Sequence, residues 1–146
     1  MIASKIGLLK PSQAFAQKVE PAYAEHLANL VDPRLARIAA NAINDHMEWI
    51  FRYYEREDRT RLVSSANIGV FRKLLVARCP AFQMMSDLEE GKHHRLISRA
   101  AEPVRPIRGL AETASIDGKE LFIVGYHQPF THALTTTVKF WRNWPD

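Results

Sequence analysis

Two short stretches of this 146-residue chain hold the side chains best suited to chemistry. The first is Asn44-Asp45-His46, followed by Glu48. His46 falls three residues after Ile43 and four before Ile50, at the border of a helical apolar stripe. An imidazole placed there can act as a metal ligand or a general base when a carboxylate from another helix orients it. It can equally make one hydrogen bond and do nothing more. The second stretch is CPAFQMMSDLEEGKHHRL, Cys79 to Leu96, with Asp87, Glu89, Glu90, His93 and His94. Asp45, His46, Asp87 and His93 together form the candidate catalytic set of a metal-dependent hydrolase or nuclease, provided the two stretches meet in space. Neighbouring helical residues point about 100° apart, so His93 is expected inward and His94 outward.

The spacings limit which metal chemistry is open. Glu90-Gly91-Lys92-His93 has the Glu-x-x-His form of a di-iron bundle, but the chain holds no second copy. No HExxH pair, phosphate loop, dinucleotide fingerprint or kinase signature is present. No cofactor is therefore identified. Cys79 lies near a helix C-terminus, which disfavours the thiolate, and reads as a small core residue. Lys92, Arg95, Arg99, Arg105 and Arg108 make the most basic stretch. Nucleic acid as a partner has weak support there, because no aromatic is interleaved from 92 to 108.

Composition bounds the rest. With 47% hydrophobic and 25% charged residues, the chain has the makeup of a folded domain. Its length suits a single helical-bundle domain over 1–146. The net charge of +4 comes from interleaved cations and anions, as on a solvated helix surface. One cysteine rules out an internal disulfide. No run approaches the roughly 20 apolar residues of a membrane span, so a cytoplasmic protein without membrane contact is expected.

The elements that must position these groups are mostly helices. Ser12 is a plausible cap for a helix carrying Phe15, Val19, Tyr23, Leu27 and Leu30, with Pro21 as a kink or a second start. Asp32-Pro33 is a strong start signal for a helix to about Arg56. Its apolar face is Ala36, Ala39, Ala40, Ile43, Met47, Ile50, Phe51 and Tyr54. Ser64-Ser65 can cap a third helix that Pro80 stops, and a fourth begins near Ala81 and reaches about Gly91. Asp117-Gly118 between apolar stretches signals a β-hairpin over 110–126. Pro129 opens a last helix with Phe130, Leu134, Val138 and Trp141 in period. The predicted fold is mainly α: an antiparallel helical bundle with a small β-hairpin inserted before the C-terminal helix.

Cys79-Pro80-x-Phe82, Asp87 and Lys92-His93, preceded by Asn44-Asp45-His46, resemble a pattern in small bacterial helical proteins of unassigned function. The likeness covers about residues 33–96 and is distantly similar to HEPN-type bundles. Many of those act on RNA or pair with nucleotidyltransferases in toxin–antitoxin modules. The ribonuclease members carry an arginine followed by four to six residues and then histidine, and no histidine here has that arginine. The resemblance thus implies the bundle and not the ribonuclease site.

The expected function is a binding or regulatory role, with the Asp/His hydrolase or nuclease as the alternative. A homodimer is expected from Phe140, Trp141 and Trp144, three large aromatics at one end of the last helix.

Overall fold

The computed structural model describes residues 9–56, 67–88, 96–100 and 119–145. Among these, five helices and two strands follow in order: α1 (Pro11–Ala28), α2 (Pro33–Arg56), α3 (Ile68–Arg78), α4 (Ala81–Asp87), β1 (Leu96–Ala100), β2 (Lys119–Ile123) and α5 (Phe130–Arg142). The architecture is the mainly helical one expected, with a small antiparallel sheet ahead of the last helix.

Local chemistry explains each start. Asp32 accepts hydrogen bonds from the backbone N–H groups of Arg34 (2.9 Å) and Leu35 (3.4 Å), and Pro33 occupies the first helical position of α2. Helix α1 begins one residue before the expected Ser12 cap. Pro11 takes its first turn, and Lys10 donates its backbone N–H to Gln13 Oε1 at 2.9 Å. Pro21 lies inside α1 without dividing it. The cap of α3 is Asn67, whose side-chain oxygen accepts from Val70 N–H at 2.9 Å. The expected caps, Ser64 and Ser65, lie outside the described residues. Cys79 and Pro80 separate α3 from α4.

The 24-residue α2 is the spine. All eight residues of its expected apolar face are buried, Ala36, Ala40, Ile43 and Ile50 completely. Helix α1 turns back through 29–32 and makes the most extensive helix–helix packing, against α2. The small alanines early in α2 permit this close approach. At the far end, Phe51, Phe71 and Tyr54 join the aromatic end of α5. Each Leu, Ile or Phe side chain so buried contributes roughly 1.5–3 kcal/mol of hydrophobic stabilisation before chain entropy is counted.

The small antiparallel sheet expected before the last helix is present, and β2 takes a partner from earlier in the chain. Strand β2 pairs antiparallel with β1, Leu96 opposite Ile123 and Ala100 opposite Lys119. Asp117, Gly118 and the stretch 110–116 lie outside the described residues. Leu121, Phe122 and Ile123 are buried, and β2 packs on α5. A second turn follows β2: Tyr126 N–H donates to Ile123 C=O at 2.9 Å, with Gly125 at φ +96°. That left-handed value is one glycine adopts at little cost. The bridge Phe122–Pro129 then aims the chain into α5.

Candidate functional site

The two stretches singled out for chemistry meet through an uncharged contact. Asn44 Nδ2 donates to the Met85 carbonyl at 2.9 Å and ties α2 to α4. Asp45, one residue on, is exposed. His46 is buried at 3% exposure, deeper than the border position expected of it. Its neighbours are Phe15 at 5.6 Å, Trp49 at 6.1 Å and Trp141 edge-on at 5.0 Å between ring centres. Burial, aided by the charge of Lys18, pushes its pKa down to about 4. At neutral pH it is an uncharged ring in an aromatic box.

Asp87 ends α4 and is also buried. Gln83, four residues earlier on the same helix, donates to its Oδ1 at 2.9 Å, and the Tyr126 hydroxyl donates to Oδ2. Tyr126 is pushed up to about 12 by burial, then by the hydrogen bond to Asp87 and the carboxylate's charge. A carboxylate held this way positions the turn after β2 against α4. His93 and His94 lie outside the described residues. Among the described residues, no three His, Cys, Asp or Glu side chains come close enough to hold a metal ion.

A polar seam that the sequence did not announce runs between α1 and α5. Glu20 and Arg142 form a two-pronged pair at 2.6 and 3.0 Å, and the Arg142 guanidinium lies over the Tyr23 ring at 5.6 Å. One turn inward, the Tyr23 and Thr135 hydroxyls share a hydrogen bond of 2.8 Å. Next, His26 Nε2 meets the Thr131 hydroxyl at 2.7 Å. The three rungs descend α1 as they climb α5, which fixes the helices antiparallel. His26 is fully buried, its Nδ1 has no hydrogen-bond partner among the described residues, and burial pushes its pKa down to about 4. Two residues of the Thr135-Thr136-Thr137 run, poor for an isolated helix, place hydroxyls inside: Thr135 bonds Tyr23, and Thr137 satisfies itself on Leu134 C=O at 2.7 Å.

An open groove of about 570 Å³ lies where the end of α3 meets the last turns of α5. Arg78 from the end of α3 and Lys139 from α5 both line it, together with Cys79, Phe140 and Trp144. No acidic side chain lines it, and neither cation forms an ion pair among the described residues. Trp144 is held in place: its indole N–H donates to Tyr54 Oη at 3.2 Å, and Tyr54 donates to Pro145 C=O at 3.3 Å. Cys79 is buried on the floor, and burial raises its thiol pKa, consistent with a packing role. The sequence did carry a sign of this site. Thr136, Lys139 and Asn143 follow at spacings of three and four along α5, with Phe140 and Trp144 beside them.

The aromatic end of α5 also bears on the dimer expectation. Trp141 is 2% exposed and meets Phe82 edge-on at 5.5 Å, while Phe140 and Trp144 pack on Phe82, Phe71 and Tyr54. Within one chain Trp141 is thus fully covered, while Phe140 and Trp144 stay half-buried. Among the described residues no helix is long and apolar enough to cross a membrane.

Comparison of the chain with protein-family models, with curated proteins and with solved structures finds no match.

Proposed function

We propose that this protein is a binding module, with a regulatory role exercised through an anionic ligand held in the Arg78–Lys139 groove. The groove's charge carries the reading: among the described residues it has two cations, no carboxylate in its lining, and no ion pair to occupy either cation. Its volume falls in the range of roughly 300–1,000 Å³ that small-ligand sites occupy. The cytoplasmic location expected from the sequence stays part of the proposal, supported by the single, unpaired Cys79. So does the relation to HEPN-type bundles, supported by the contact between Asn44 and Met85, which joins the two motif-bearing helices.

Inorganic triphosphate is the probe that tests the anion site. Calorimetric titration of the full chain should show one site whose affinity falls as salt rises, because the cations are wet and screened. The double variant Arg78→Ala/Lys139→Ala should abolish the heat. Both side chains are exposed, so the fold should survive. Unchanged binding in that variant overturns the site. The rival reading, hydrolysis by Asp45, His46, Asp87 and His93, is tested with a model phosphodiester and added Mn²⁺. Turnover that disappears in Asp87→Asn would replace the binding proposal. The homodimer is tested by light scattering at two concentrations; a second copy seated on Phe140 and Trp144 would compete with triphosphate for the groove.

A further inference from the structure

We infer that the ligand of this groove is a nucleoside phosphate, a flat heteroaromatic ring joined to a phosphate chain; this rests on the anion-binding reading above. The first ground is charge. Arg78 is the last residue of α3, and Lys139 lies in the last turn of α5. Each helix end carries about half a negative charge. Counting the described residues, two full cations outweigh two such ends and leave the groove about one charge positive, enough to draw in a polyanion. A guanidinium and an ammonium contributed to one groove by two different helices suit a chain of phosphates, which offers several anionic groups, Arg78 acting as a fork and Lys139 as a point charge.

The second ground is the floor between the cations. Phe140 and Trp144 are half-buried, so part of each ring faces the groove. Their centres are 5.8 Å apart and their planes tilt by 36°. The indole is pinned on its buried side by the Tyr54 hydrogen bond and by edge contacts with Trp141 at 5.3 Å and Phe71 at 6.4 Å. The platform is thus built before any ligand arrives, and little side-chain freedom remains to be lost on stacking. A simple oxyanion would leave this surface wet and fill a small part of 570 Å³. A base with its sugar and phosphates uses ring, cations and volume together. Thr136 on the exposed stripe of α5 and Asn143 just past its end donate to the His132 and Lys139 carbonyls, which leaves their side-chain oxygens to accept from sugar hydroxyls.

The test compares three titrants on the wild-type chain: adenosine triphosphate, inorganic triphosphate and adenosine. Calorimetry gives affinity, and tryptophan fluorescence reports stacking. The nucleotide should bind about tenfold or more tightly than inorganic triphosphate, the equivalent of one stacked base, and should quench fluorescence where the inorganic anion does not. Tyr54→Phe, which releases the indole N–H, should narrow that gap and leave inorganic triphosphate binding unchanged. Equal affinity for the two triphosphates would overturn the nucleoside inference and leave the anion site standing. Adenosine binding as tightly as the nucleotide, with no effect of Arg78→Ala, would overturn both. So would no binding of any of the three.

Discussion

His26 Nε2 lies 2.7 Å from the Thr131 hydroxyl across 105 residues of chain, and both side chains are cut off from water. The fold therefore contains an imidazole whose protonation it cannot accommodate, and His46 in its aromatic box is a second one. Both are held at about 4, below the ordinary value of 6.5. A depressed histidine favours the folded state above the unfolded pKa, where both states are neutral. As pH falls from 6.5 towards 4, the unfolded chain takes up protons that the folded chain refuses. Stability should be flat above about pH 7 and fall between 6.5 and 4, by on the order of 3 kcal/mol for each ring. Urea midpoints at several pH values check this. His46→Phe, which suits the surrounding rings, should reduce the acid slope by about half; an unchanged slope would show that His46 is not a source of it.

The next rung supports a double-mutant cycle. Thr135→Val keeps the shape and strands the Tyr23 hydroxyl beside α5, at a cost of about 1–3 kcal/mol. Tyr23→Phe alone strands the Thr135 hydroxyl in the same way. The double variant should cost less than the sum of the two, since neither stranded group is left. Strict additivity would mean that the two hydroxyls do not bond in solution.

Ile43 is fully buried in the middle of α2. Ile43→Asp puts a carboxylate into the hydrophobic core and should cost on the order of 4 kcal/mol or more, enough to unfold a marginal domain. A circular-dichroism melt matching wild type would displace Ile43 from the core.

Gly125 has open space where a side chain would sit, so its constraint is purely of backbone. Gly125→Ala should destabilise by about 1–2 kcal/mol, the cost of a left-handed conformation for an L-residue. A melting temperature equal to wild type would mean that the turn has another geometry.

These tests fall on features of unequal legibility. Helix α2 could be read residue by residue, since a cap, a proline and a three-and-four spacing are all local signals. Pro33, Ile43 and Tyr54 sit where their neighbours in sequence said they would. The start of α5 after Pro129 was equally local. The partner of β2 was not, because pairing of Lys119 with Ala100 depends on chain far from the Asp-Gly signal. The same reason hid the seam. Tyr23 looked like an apolar periodic residue and His26 like nothing in particular, because their partners are 112 and 105 residues away. For the candidate site, the sequence marked Asp87 as a candidate catalytic carboxylate but not its burial, because Tyr126, its partner 39 residues on, carried no mark. His46 was placed at a border because a heptad of α2 shows only its own face; Trp141 and Phe15 close over it from other helices.

The α1–α5 seam also sets a timetable for synthesis. Ala28 ends α1, and Arg142, which pairs with Glu20, closes the far rung. At about 5–20 residues per second, roughly 6–23 s separate the making of those two positions on the ribosome. During that interval Tyr23 and His26 have no inward partner, so α1 can dock on α2 but not complete its inner face. The nascent chain must keep this polar face hydrated until the final helix arrives. Docking of α5 then follows docking of α1 on α2, and changes at Thr131 or Thr135 should slow that step more than they disturb the α1–α2 pair that precedes it.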